Sequence, residues 1–316
     1  MLKIVFTDID GNDFYAENIS SVELSRTAGA ACDGIRINYF TERSMSEINR
    51  VHVYSGEGLV FNGYCDTQRE TVEGQGRRCF VYARSSACLL TDNEAEPVTY
   101  NRPTAGSLCI DNAREFGFEC EIEDIVCNSD YTVGKGTSRY SAVNDFVCGI
   151  IGSDIVITPD NKIMLPDYDS VISIDSKDIE SEKILINRVG AVSRIDYKIK
   201  NDTSYKYHLK SRYLEQRGIN RGVLVNVSSL PKWRQDGTVL NRLKKYSSNY
   251  NCIELKVGGF VNANLYSGVK YDSKTVDCTD GYYISEIVYN FDKNGEYTTL
   301  TLSKNIDLKE IRYVAE

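Results

Sequence analysis

Apolar and polar residues alternate at period two over most of this chain. "GIRINYF" (residues 34–40), "RVHVYSG" (50–56), "GLVFNGY" (58–64) and "RCFVYAR" (78–84) are rich in Val, Ile, Phe and Tyr in that alternation, the pattern of half-buried strands. Glycines and Asp or Asn residues separate them. The period changes after "TDNEAEPVTYNRP" (91–103). A helix is predicted over 104–116, with Pro103 before it and Thr104 as its N-cap. Ala105, Leu108, Cys109, Ala113 and Phe116 share one face, and Gly117 is placed to end it. A second helix is predicted in "SRYSAVNDFVCGIIG" (138–152), with Val143, Phe146, Val147 and Ile150 at helical spacing and Gly152 as the stop. A short hairpin, "DIVITPDNKIMLPD" (154–167), turns at Pro159-Asp160-Asn161.

Strands return from about residue 181. "NRVGAVSRIDYKIK" (187–200) reads as one long strand, and "DGTVLNRLKKYSS" (236–248) as one short helix with Val239, Leu240 and Leu243 inward. "NCIELKVGG", "GVKYDS" and a final hairpin, "GYYISEIVYNFDKNGEYTTLTL" (281–302), follow. Asn294-Gly295 supplies the positive φ angles that a tight hairpin needs. The order is β-rich, then a small helical insertion, then β-rich again, with no internal repeat.

The chain has 316 residues, 41% hydrophobic and 26% charged, the composition of a soluble globular protein. Its formal net charge of −8 argues against a nucleic-acid coat. No apolar run is long enough to span a bilayer. "MLKIVFTDID" lacks the long apolar segment and cleavage site of a signal peptide. The 10 cysteines contain no C-x-x-C pair, which argues for buried, reduced thiols rather than a zinc site. His52 and His208 are the only histidines, so any Ser–His or Cys–His pairing must use one of them. The 22 Tyr residues suit sheet surfaces and interfaces.

One stretch suggests chemistry. "KIVFTDIDGNDF" (3–14) is similar to the nucleophile loop of haloacid dehalogenase-type phosphatases, in which an apolar strand leads into D-x-D-G-T. That resemblance would make Asp8 the nucleophile and Asp10 the general acid/base. Yet Asn12 stands where the Thr belongs, and no downstream acidic pair supplies a magnesium site. "DFYAENISSVEL" (13–24) continues the alternation, so residues 8–12 are expected to be the turn of an antiparallel hairpin. "VGKGTS" (133–138) falls short of a phosphate loop and is expected to lead into the second helix. "GQGRR" (74–78) reads as a hairpin turn, and "HLKSRYLEQRGINR" (208–221) as a solvated basic face. The Asn-x-Ser/Thr triplets at Asn18, Asn201 and Asn226 carry no meaning without secretion. No catalytic, cofactor-binding or metal-ligating residue is assigned. A cell-wall hydrolase finds little support.

The segment "VFNGYCDTQRETVEGQGRRCFVYARSSACLLTDNEAEP" (60–97) resembles the N-terminal part of phage baseplate central hub proteins. The matching elements are Phe61, Gly63, Asp66, Arg84, Leu89, Leu90, Asp92, Asn93, Ala95 and Pro97. "SLCIDNAREFGF" (107–118) is similar to the family's next helix, "KGTSRYSAVNDF" (135–146) to its K-G-x-S helix start, and the last hairpin to its C-terminal segment. The match is weakest over 200–245.

The resemblance implies a mainly β (α+β) fold of two tail-tube-like β-barrel domains with a small α/β insertion. The boundaries expected are 1–92 for the first barrel, completed by about 183–213, 93–182 for the insertion, and 214–316 for the second barrel. It also implies a non-enzymatic virion protein of the tail baseplate, assembled in the host cytoplasm. It would form a homotrimeric ring between the hexameric tail tube or its initiator and the trimeric central spike, with wedge and tape-measure proteins nearby. No cofactor, sequence-specific nucleic acid or membrane anchor is implied. The alternatives are a hub of a related effector-injection system and the phosphatase above.

Overall fold

The computed structural model describes residues 2–74, 76–122, 124–276, 279–305 and 311–315. Gln75 in the turn of "GQGRR" and the thiol of Cys278 lie outside them. The chain is mainly β with few helices. Seven strands build its first part: β1 (Lys3–Asp8), β2 (Asp13–Tyr15), β3 (Ile19–Thr27), β4 (Gly34–Thr41), β5 (Ile48–Ser55), β6 (Gly58–Glu73) and β7 (Gly76–Ser85). The period-two pattern buries one face only. Phe6, Ile35, Ile37, Val51, Val53, Phe61, Val81 and Ala83 form one core. The opposite face carries Arg36 over Tyr82, Arg50 over Tyr64 and Arg69 over Phe80, each within 5.6 Å of the ring centre. Cations so placed on aromatic rings stabilise a sheet face that stays partly wet.

The insertion follows. It holds α1 (Cys88–Asp92), β8 (Val98–Tyr100), α2 (Ala105–Asn112), β9 (Glu119–Cys120), β10 (Tyr131–Val133), α3 (Arg139–Ile151), β11 (Val156–Ile157) and β12 (Lys162–Met164). Both predicted helices form, with Thr104 as N-cap of the first and Gly152 as stop of the second, as expected. Thr104 and Ser107 make a reciprocal capping box on α2. Ser138 caps α3, and Gly152 ends it at φ 68°. α2 stops at Asn112, and a single 3-10 turn, Arg114–Phe116, finishes the segment read as helix. Leu108, Tyr131, Phe146, Val147 and Ile163 are the centre of a separate core. The β11–β12 hairpin turns at Asn161 (φ 63°), as the sequence indicates.

The rest of the chain contributes β13 (Val171–Ser173), β14 (Ile179–Ile186), β15 (Arg194–Lys198), β16 (Tyr207–Ser211), α4 (Arg212–Gln216), β17 (Gly222–Asn226), α5 (Lys232–Ser248), β18 (Asn251–Gly258), β19 (Gly268–Lys270), β20 (Tyr282–Asp292), β21 (Gly295–Lys304) and β22 (Ile311–Ala315). The long strand expected over 187–200 is shorter than read. Only Arg194–Lys198 is extended and paired, because Gly190 takes φ 84° and turns the chain before it. The helix expected from Asp236 starts at Lys232 instead, with Val239, Leu240 and Leu243 buried. In the last hairpin Asp292 pairs with Gly295, so Lys293 and Asn294 are the turn, and only Gly295 (φ 105°) takes positive φ.

One eleven-stranded sheet dominates, in the order β14-β18-β21-β20-β3-β4-β7-β6-β5-β1-β2. Every neighbouring pair in it is antiparallel. Strands from the two ends of the chain meet at β20 and β3, with Tyr289 opposite Leu24. The order runs from β14 to β2, and no pairing among the described residues closes it into a barrel. A second sheet, β17-β15-β16-β22, packs on α5 through Ile195, Leu209, Val239 and Leu243. Among the described residues no helix is long and apolar enough to cross a membrane.

Candidate functional site

The Asp8–Asp10 loop is a hairpin turn. Phe6 pairs with Phe14 and Thr7 with Asp13 across β1 and β2, so the strand leads to an antiparallel neighbour rather than to a helix. Asp8 Oδ1 accepts hydrogen bonds from the backbone N–H of Asp10 (3.0 Å) and of Asn12 (2.8 Å). The Asn12 amide also donates to both Asp8 oxygens at 3.3 Å. Asn12, in the place of the phosphatase Thr, therefore completes the turn. The Asn12 N–H holds the Asp8 carboxyl below its ordinary pKa, against a smaller opposing effect of desolvation. That carboxylate is spent on its own loop. Among the described residues no group of three His, Cys, Asp or Glu side chains is placed to hold a metal.

The other sequence candidates fall into structural roles. Ser138 of "VGKGTS" is the N-cap of α3. His52 lies half-buried on β5, where burial and then Arg50 hold its pKa down. His208 on β16 sits 2.5 Å from Asp196 on β15, which also meets Arg194 at 3.0 Å. Arg84, one of the residues of the hub resemblance, bonds both Asp66 and Asp92, two others of that set. It ties β6, β7 and the end of α1 together.

Two polar assemblies that the sequence did not reveal hold the parts in place. Asp154, just after α3, is 5% exposed. It accepts from Asn144 (3.1 Å) and from Asn241 on α5 (3.0 Å), and pairs with Lys245 at 2.8 Å. Lys244 donates to the Gly152 carbonyl at 3.0 Å, and burial lowers its pKa. These contacts fasten the insertion to α5 beside a cavity of about 360 Å³ lined by Tyr168, Tyr266 and Tyr283. The second assembly is Glu182 on β14, which accepts from Tyr271, Ser273, Thr275 and the Lys274 backbone. It pins the loop after β19 onto the end of the sheet.

Exposed apolar side chains occur at the two ends of that sheet, as they do elsewhere at Val72, Ile110, Val126 and Leu224. Ile184, Leu185 and Ile186 on β14 are exposed in succession, and Ile9 and Tyr15 are exposed at the β1–β2 end. Apolar side chains on bare strand edges mark contact surfaces more than reaction centres.

Comparison of the whole fold agrees with this picture. The tail protein of Neisseria meningitidis MC58 superposes with a TM-score of 0.73 over 96% of each chain, at 15% identity. The fold is that of phage tail proteins. A 43 kDa tail protein of prophage MuSo2 from Shewanella oneidensis has the same tail-protein fold, with a TM-score of 0.77, 12% identity, and 96% of this chain and 98% of that one covered. The Escherichia coli c3393 protein, a type VI secretion component described as similar to T4 tail proteins gp27 and gp5, matches at a TM-score of 0.60 and 8% identity. That match covers 100% of this chain and 79% of c3393. No family model matches the sequence, and no curated protein does.

Proposed function

We propose that this chain is the central baseplate hub of a contractile injection system, a phage or a tail-derived bacteriocin. On this reading it is a structural, non-enzymatic protein of the virion tail, assembled in the host cytoplasm. Three copies form a ring that joins the hexameric tail tube to the trimeric spike. The observation that carries the reading is the match of nearly the whole fold to phage tail proteins. The Asp8 carboxylate turned onto its own loop adds to it.

Two tail-tube-like β units belong to the proposal, a first over residues 1–92, completed by about 183–213, and a second over 214–316. The insertion is 93–182. The pairing of β14 with β18, of β15 with β17 and of β16 with β22 makes 183–213 the part of this division most in need of test. Limited proteolysis with mass mapping would locate the boundaries. A lumen-facing wall of net negative charge would let DNA phosphates pass without the counterion release that binds them tightly.

The deciding experiment is imaging of assembled tails. Three copies between tube and spike are expected, and one or six copies would exclude the reading. A hub of an effector-injection system is the second reading, favoured by the fold match to c3393. The neighbouring reading frames separate the two: tape-measure, wedge and spike genes for a phage, effector genes for a secretion system.

A further inference from the structure

We propose that the two ends of the eleven-stranded sheet are the two halves of one contact, in which the β14 end of one copy docks on the β1–β2 end of the next. This deepens the hub reading and rests on it for the ring. Neither end has a strand partner among the described residues. A bare edge with apolar side chains invites pairing with another chain unless something covers it.

The two ends are chemically complementary. At the β2 end Ile9 is 61% exposed and Tyr15 58% exposed. Around them stand Asp8, Asp10, Asp13 and Glu17. None of these four has a cation within ion-pair distance among the described residues. Lys3 is one nearby cation, with its Nζ 5.0 Å from the centre of the Tyr15 ring, and Arg50 lies opposite Thr7 on β5. The Asp8 hydrogen bonds stiffen the turn, so that Ile9 and Asp10 project from a fixed loop.

At the other end the three consecutive residues Ile184, Leu185 and Ile186 make both faces of β14 apolar, and Val189 beyond them is 79% exposed. Arg188, next to Val189 in the chain, is joined to Arg217 and Arg221 through backbone carbonyls, and the Arg217 guanidinium lies 3.6 Å from the centre of the Tyr213 ring. Arg188 donates to the Arg217 and Gly218 carbonyls (3.1 and 3.2 Å), Arg221 to the Arg188 carbonyl, and Arg217 to the Tyr213 carbonyl (3.1 Å). No carboxylate pairs with any of the three among the described residues. The remaining charges of β14 are already used inside the chain: Glu180 on Lys256, Lys183 on Glu254, and Glu182 on the loop after β19.

A contact of either end with itself would set four carboxylates against four, or three guanidiniums against three. A contact between unlike ends pairs them and covers both apolar edges. Such a heterologous contact repeats by rotation and closes into a ring when the rotation allows. The acidic loop, similar in sequence to a phosphatase loop, then serves as the docking tip.

Sedimentation and native mass measurement test this with two surface variants of the full chain. Leu185→Glu repels the acidic tip, and Asp10→Arg repels the arginines. Each variant should keep the wild-type melting temperature and lose self-association by about ten-fold or more. Mixed, they should form a defined complex, because each retains the half that the other lacks. Rings in both variants equal to wild type would overturn the edge assignment and leave the hub reading standing. So would a mixture that stays monomeric while wild type assembles. Wild type that stays monomeric at its highest soluble concentration overturns the inference as well, and copy number in the tail then decides the hub reading separately.

Discussion

Gly237 of α5 lies against Gly149 of α3, backbone on backbone, where the two helices cross. A Cβ built on Gly237 would overlap the carbonyl oxygens of Cys148 and Gly149. The insertion meets the rest of the molecule at this crossing, beside the Asp154–Asn241 bond.

Gly237→Ala should therefore force the helices apart. Helix propensity favours Ala over Gly by about 1 kcal/mol, but overpacking costs about 1–3 kcal/mol and falls on rigid backbone. The expected outcome is a lower melting temperature together with faster proteolysis after α3. A melting temperature raised by the substitution would show that the crossing is looser than described.

Glu182 should give the protein an acid-sensitive joint. Partial burial raises its pKa, but the bonds from Ser273, Thr275, Lys274 and Tyr271 outweigh this and leave it below the ordinary Glu value. A carboxyl with a depressed folded pKa stabilises above its unfolded pKa, and that contribution disappears as the pH falls through the folded one. Stability should thus decline below about pH 4.5. Glu182→Gln should flatten that decline and cost about 1–2 kcal/mol at neutral pH. Denaturant unfolding at several pH values checks both.

The buried thiols of Cys88 and Cys148, and the half-buried one of Cys65, should resist alkylation. Burial pushes Cys65, Cys88 and Cys148 each up to about 11, so little thiolate exists at pH 8. These three should react slowly with iodoacetamide in the native protein and at once in denaturant. Mass spectrometry after timed labelling gives the rates, and fast native labelling of Cys148 would contradict the packing of α3 on α5.

Asp8→Asn should leave the turn folded and lower stability by less than about 1 kcal/mol, since Asn still accepts at the turn. Magnesium-dependent phosphatase activity that vanished with this substitution would sink the structural reading of the loop.

Local signals were the legible ones. Thr104 and Gly152 announce helix ends because capping is a property of a few neighbouring residues. The alternation of 34–40 and 78–84 announces strands, and the Asp8–Asn12 hairpin is visible in the same way. The strands β8 and β10 were not, because three residues each give period two no room to repeat. Residues 187–200 were overread as one strand because Gly190 is a lone signal amid apolar residues. The Asp154 and Glu182 assemblies were invisible for another reason. Their partners are some ninety residues away in the chain, as with Asn241 and Thr275, and nothing local marks a long-range hydrogen bond.

The junction of β3 with β20 has a consequence for synthesis. Val22 to Thr27 find their partners only when residues 286–291 exist, at almost the other end of the chain. Until the ribosome has nearly finished, β3 has β4 on one side and nothing on the other. The nascent first half therefore spends most of translation with an open, apolar-backed edge, a form prone to aggregate. Chains released early should depend on chaperones or precipitate, and the β20–β21 hairpin should act as the closing stitch of folding.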